Sequence, residues 1–139
     1  MRVPRPVRLV MVFGSFDLLH PGHVWFVENA KKRGGELIAV VARDSSIERL
    51  KGRKPLFSEG ERLHLVGALR AVDKAVLGGS KDFHAVVRRW KPQVVVLGYD
   101  QSADVNALKK TGAQVVRLRA FKPRRHKSSL LKKRLRKNG

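Results

Sequence analysis

Five short runs rich in Val, Leu and Ile punctuate the chain, at 7–13 (VRLVMVF), 37–42 (LIAVVA), 74–77 (KAVL), 94–97 (VVVL) and 114–118 (QVVRL). Apolar runs of this length, bounded by Gly, Asp and Arg, predict buried strands. Between them apolar positions recur at intervals of three. Val24, Val27 and Ala30 follow Pro21, and Leu63, Val66 and Leu69 follow Ser58, a spacing that predicts helices. The second helix carries its own start signal, because Ser58 and Glu61 form an S-x-x-E capping box. Alternating strands and helices predict an α/β fold, a doubly wound parallel five-stranded sheet with helices on both faces. No internal repeat or low-complexity linker interrupts the pattern before the basic stretch at 121–139.

The segment after each strand is informative. Gly14-Ser15-Phe16-Asp17 follows the first, Arg43-Asp44 the second, Gly78-Gly79-Ser80 the third and Gly98-Tyr99-Asp100 the fourth. A basic stretch beginning at Arg119 follows the fifth. The carboxyl ends of parallel strands share one edge, and an open sheet receives its ligand in the crevice there. All the small and polar clusters therefore converge on one expected site.

Composition narrows the picture further. The 139 residues fit one domain, 1–139, with a basic C-terminal helix or tail at about 122–139. The longest apolar stretches run 5–6 residues, far short of the roughly 20 needed to span a membrane. No cleavable apolar core follows the basic N-terminus, and zero cysteines exclude disulfides, thiolate metal sites and cysteine nucleophiles. The expected location is the cytoplasm. Lys+Arg 31 against Asp+Glu 11 gives a net charge of +20. Residues 1–104 hold 18 basic and 11 acidic side chains, whereas residues 105–139 hold 13 basic and no acidic ones. Such a field attracts phosphates on nucleotides, RNA or lipid heads, and a simply solvated basic tail is the alternative.

The chemistry concentrates in Gly14–His23 (GSFDLLHPGH). Gly14 lets a ligand approach the backbone at the strand end, and Pro21 suits the first turn of a helix. His20 and His23, three apart, project to one side of the helix start. Gly22 leaves the helix N-terminus unshielded, so that its N–H groups and dipole favour a phosphate. Two imidazoles beside such an anion site suit phosphoryl or nucleotidyl transfer, which is catalysed chiefly by positioning and charge stabilisation. Asp17, three residues before His20, precedes the expected helix, Glu28 falls outside helical spacing and no third histidine lies within it, which disfavours a two-histidine metal centre.

This segment resembles the signature of the cytidylyltransferase-like nucleotidyltransferases, a G-[TS]-F-D loop followed by H-x-G-H. Glu59-Gly60-Glu61-Arg62 is similar to the family's E-x-x-R helix, Gly98-Tyr99-Asp100-Gln101 to its nucleotide-recognising segment, and Lys127-Ser128-Ser129-Leu130-Leu131 to its C-terminal motif. Together these cover about residues 7 to 135. Lys127 stands where the last motif usually has a small hydroxyl residue. Within the family, the H-P-G-H wording, Val41-Ala42-Arg43-Asp44 and Lys51-Gly52-Arg53-Lys54-Pro55 look most like archaeal FAD synthetases.

The resemblance implies a Rossmann-like nucleotidyltransferase fold. It also implies direct attack by an acceptor phosphate on the α-phosphorus of a nucleoside triphosphate, here AMP transfer from ATP to FMN. His20 and His23 would be catalytic. Nucleotide binding would fall to Gly14, Ser15, Phe16, His20, Pro21, Gly22, His23, Gly98, Tyr99, Asp100, Ser128 and Ser129. Asp17, Asp44, Arg53, Lys54 and Arg62 would meet the triphosphate or the acceptor phosphate. Magnesium would accompany ATP, with no protein-ligated metal, and relatives are commonly homodimers. Helix capping by Ser128 and Ser129, and packing by Tyr99, Trp25 and Trp90, are the plainer readings of those residues. Two alternatives remain for the function: transfer to another phosphate monoester such as glycerol 3-phosphate, using CTP or ATP, and a non-catalytic basic RNA-binding protein. Against the latter, aromatics are 6% and are not interleaved with the basic run.

Overall fold

The computed structural model describes residues 6–79, 82 and 84–119. The elements are β1 (Arg8–Gly14), α1 (Pro21–Lys31), β2 (Gly35–Val41), α2 (Asp44–Lys51), α3 (Glu59–Gly67), β3 (Lys74–Leu77), α4 (Ala85–Trp90), β4 (Val94–Leu97), α5 (Val105–Lys110) and β5 (Gln114–Arg117). All five strands are parallel, in the order β3-β2-β1-β4-β5. The α/β, doubly wound arrangement expected from the alternation is therefore present.

Alternation along the strands sorts the core into two layers. Val10 and Val12 of β1 face α1 and α3, where Val27, Ala30 and Val66 pack with Leu37, Ala39 and Val41. Met11 and Phe13 face the other way, toward Val87 of α4 and Leu108 of α5 with Ile38, Val40, Val95 and Leu97. Because β1 and β4 are covered on both faces, they read as unbroken apolar runs. Lys31 of α1 and Asp73, ahead of β3, form an ion pair at 3.0 Å, and the same carboxylate accepts from the Leu37 N–H at 2.8 Å, tying both ends of this layer to β2.

Strand limits shift by a residue or two from expectation. β1 runs 8–14 rather than 7–13, β2 begins at Gly35 rather than 37, and β5 stops at Arg117 although Leu118 is still buried. The early start of β2 follows from the preceding turn. A Cβ on Gly34 would lie 2.4 Å from the Arg8 carbonyl oxygen, so only glycine lets the chain enter the sheet there. Helix α3 begins as expected, with Glu61 N–H on Ser58 Oγ at 3.2 Å and Ser58 N–H on Glu61 Oε1 at 3.1 Å. Helix α2 was not anticipated; its N-cap, Arg43, makes no side-chain capping bond, so the usual start signal is missing. Among the described residues no helix is long and apolar enough to cross a membrane. The basic segment 122–139, with Ser128 and Ser129, lies outside the described residues.

Candidate active site

The two histidines hold each other at the start of α1. His20 is the N-cap, in extended backbone geometry, and Pro21 takes the first helical position. The Gly22 N–H donates to His20 Nδ1 at 3.1 Å, while the His20 N–H donates to His23 Nδ1 at 3.3 Å. This is a capping box in which two imidazoles do the work of the usual Ser and Glu. It settles a chemical point. With Nδ1 accepting on both rings, each neutral imidazole carries its proton on Nε2. The rings lie 3.9 Å apart between centroids, tilted by 34°. Burial, and secondarily the neighbouring His20, lowers the His23 pKa from 6.5 to about 3, so that ring is neutral at ordinary pH. The expectation of an unshielded helix N-terminus is corrected: the Gly22 N–H is taken by His20, and the His23 N–H bonds the His20 carbonyl at 2.9 Å.

Gly14 also has a packing reason that the sequence does not show. A Cβ there would sit 2.8 Å from Cε2 of Phe16, whose backbone is left-handed at φ 48° and whose ring is buried. Glycine is required there by the folding back of Phe16. The Phe16 ring in turn stands 5.6 Å from His23 and backs the histidine pair.

Three charged residues expected at substrate phosphates are bonded within the protein. Asp17 is 2% exposed, and its two oxygens accept from the N–H groups of Leu56 and Phe57, both at 3.0 Å. Arg62 is wholly buried. It donates from Nη1 to the Ser15 carbonyl at 2.7 Å, from Nε to the Phe57 carbonyl at 3.0 Å and from Nη2 to Asp44 Oδ1 at 2.7 Å. Asp44 is thereby engaged as well, although partly open to solvent. These contacts correct the expectation of direct phosphate contact for Asp17 and Arg62. Their charges are consumed in fastening the 55–57 segment and the 15–17 loop together. Arg53 and Lys54 lie exposed on the connection whose far end is anchored in this way. Arg43 completes the edge, with Nε on the Gly78 carbonyl at 2.7 Å and Nη1 3.4 Å from Glu59, whose other oxygen takes the Asp44 N–H.

At the end of β4 the chain makes a tight turn. The Gln101 N–H bonds the Gly98 carbonyl at 3.2 Å, and Gln101 Oε1 accepts from the Gly98 N–H at 2.7 Å. Gln101 Nε2 reaches across to the Phe13 carbonyl at 2.7 Å, joining the ends of β4 and β1. Tyr99 and Asp100 are exposed at the tip. A Cβ on Gly98 would meet only ordinary contacts from 3.6 Å outward. Arg117, at the end of β5, donates from Nη1 to the carbonyls of Gly98 and Gln101 at 2.7 and 2.8 Å. Sequence reasoning quoted Gln101 only as part of a motif and missed Arg117, which only the strand register brings opposite Leu97.

Trp25 and Trp90 are packing residues. Trp25 lies against the layer under α1, and Trp90 against the opposite layer with Lys74 Nζ 4.6 Å above its ring. Among the described residues no group of three or more His, Asp or Glu could hold a metal ion.

The structure thus brings Gly14, Ser15, Phe16, Pro21, Gly22, His20, His23, Gly98, Tyr99 and Asp100 to the carboxyl ends of β1 and β4, on either side of the point where strand order reverses. The family model described as cytidylyltransferase-like matches residues 11–136. An FAD synthase of Aciduliprofundum boonei is 47% identical over 118 residues, covering 81% of this chain and 78% of that protein. An FAD synthase of Methanopyrus kandleri is 50% identical, covering 68% of this chain, which spans 65% of that relative's length. The crystal structure of the lipopolysaccharide core biosynthesis protein from Thermoplasma volcanium GSS1 superposes with a TM-score of 0.72 at 41% identity, covering 82% of this chain and 96% of that one. The pantoate-beta-alanine ligase of Francisella tularensis shares the fold, with a TM-score of 0.58 at 14% identity, covering 84% of this chain and 60% of that one. With a signature loop, a paired-histidine helix start and a family match over most of its length, the chain belongs to the cytidylyltransferase-like family.

Proposed function

We propose that this chain is an FMN adenylyltransferase, forming FAD and pyrophosphate from FMN and ATP. The observation that carries the reaction class is the histidine pair locked as two Nε2–H donors at the switch point of the sheet. The choice of FMN and ATP is supported by relatives named FAD synthase, at 47% and 50% identity. In this reading a phosphate oxygen of FMN attacks the α-phosphorus of ATP. The bond from that phosphorus to the bridging oxygen of the β-phosphate breaks, and pyrophosphate departs with the electron pair. His20 and His23 donate to triphosphate oxygens whose charge rises in the transition state, and each such donor is worth about 3 kcal/mol.

The N–H groups of Ser15 and Phe16 line the phosphate cradle, while Tyr99 and Asp100 meet the base and ribose. Arg53 and Lys54 reach phosphate from the loop that Asp17 and Arg62 hold in place. Ser128 and Ser129 would add contacts from the C-terminal motif. The donor set described is mainly N–H rather than carboxylate, so a divalent cation, most simply magnesium, would be held by the triphosphate's own oxygens. When bound it would neutralise charge there.

The test is pyrophosphate release from ATP and from CTP across FMN, glycerol 3-phosphate, phosphocholine and phosphopantetheine. Turnover with ATP and FMN alone is expected. Turnover with CTP and glycerol 3-phosphate would replace both substrates and leave the histidine chemistry standing. Silence with every pair, with no nucleotide binding by calorimetry, would overturn the enzymatic reading.

A further inference from the structure

The turn at residues 98–101 stands at the carboxyl end of β4, next to β1 at the switch point, and is bonded to elements outside itself on two sides. Gln101 fastens it to β1 through the Phe13 carbonyl, and Arg117 fastens it to β5 by spanning the Gly98 and Gln101 carbonyls. These bonds consume the main chain of Gly98. Its N–H is on Gln101 Oε1, and its carbonyl accepts from both the Gln101 N–H and Arg117, which fills both lone pairs. A nucleotide entering the crevice therefore finds no hydrogen-bonding group on Gly98. Polar recognition falls to Tyr99 and Asp100 at the tip, and it depends on where the turn holds that tip.

We propose that Arg117 is a positioning residue for the nucleotide. By holding the carbonyls of Gly98 and Gln101 at 2.7 and 2.8 Å from one nitrogen, it fixes the height of Tyr99 and Asp100 above the sheet edge. A charged donor strengthens both bonds relative to a neutral one. Without it the two carbonyl dipoles face the same space and repel, and the tip relaxes while the sheet, whose ladder bonds do not involve the Arg117 side chain, remains. Geometric selection of this kind acts on binding before chemistry, so its loss should fall on nucleotide affinity. The proposal rests on the reading that the 98–101 turn contacts the nucleotide.

The experiment compares Arg117→Met, Arg117→Lys and Asp100→Ala. The readouts are the calorimetric Kd for ATP, steady-state kinetics with ATP and FMN, and the thermal midpoint. The calorimetric arm needs no acceptor, so it stands even if FMN is the wrong one. Arg117→Met is expected to weaken ATP about tenfold, with kcat within about twofold and the KM for FMN unchanged. Arg117→Lys should recover most of the loss, since an ammonium has donors for both carbonyls. If Arg117→Met binds ATP normally while Asp100→Ala does not, Arg117 has no positioning role and the turn remains a nucleotide contact. If neither variant changes the Kd, the turn is not the nucleotide's contact and both readings fall. A matched loss of ATP and FMN affinity with a lowered melting point would show a merely structural arginine and overturn the proposal.

Discussion

Substituting asparagine for His23 separates the two things that its ring does. The Oδ1 of Asn takes the place of Nδ1 and still accepts from the His20 N–H, but nothing replaces the Nε2–H. His23→Asn is therefore expected to melt near the parent temperature while kcat falls about a hundredfold. His23→Ala should show the same kinetic loss together with about 1 kcal/mol of lost capping, measured by urea unfolding. The ring also sets a pH dependence. With a folded pKa of about 3 against 6.5, the unfolded chain binds the extra proton first as pH falls. The stability contributed by neutral His23 is present above pH 6.5 and is lost on the way down toward pH 3. His23→Asn should accordingly lose less melting temperature between pH 7 and pH 4.5 than the parent protein. The histidine pair was legible because H-P-G-H names a spacing that a helix start turns into adjacency. The reason for Gly14 was not, since nothing in G-S-F-D reveals that Phe16 turns back at φ 48° and fills the space a Cβ would need.

Helix α3 shows how an element with a readable start can carry a residue whose direction is unreadable. Ser58 and Glu61 announce its first turn, and the next residue, Arg62, is carried inward rather than out to the crevice. The sequence could not place it, because its partners are 18 residues away at Asp44 and 47 residues away at Ser15. Arg62→Met leaves the Ser15 and Phe57 carbonyls without their donor, removes the partner of the partly exposed Asp44 and empties a fully buried position. A loss of about 3 kcal/mol is expected in urea unfolding. Faster hydrogen exchange at the Leu56 and Phe57 amides should accompany it, because the segment loses its second anchor beside Asp17. A destabilisation below about 1 kcal/mol with unchanged exchange would contradict this role. Helix α2 escaped notice for the opposite reason. Arg43 offers no capping oxygen and uses its guanidinium on Gly78 and Glu59 instead.

At the scale of the whole molecule, a net charge of +20 on 139 residues sets how an anionic nucleotide arrives. Raising ionic strength from about 0.05 to 0.5 M should slow association of a fluorescent ATP analogue in stopped flow by about tenfold, with a much smaller change in dissociation. A salt-independent association rate would show that the charge lies away from the entry path. The sequence by itself determined the strand runs, the α/β alternation, the edge on which the polar clusters meet and the histidine signature. All of these depend on local spacing and on which residues avoid water. Tertiary structure alone decided which polar groups are bonded within the protein. Asp17, Asp44, Arg62, Gln101 and Arg117 are spent on backbone and side-chain partners brought near by sheet order, not by distance along the chain. A charged side chain looks the same in sequence whether it binds phosphate or fastens a loop, and burial with bonded partners is what separates the two.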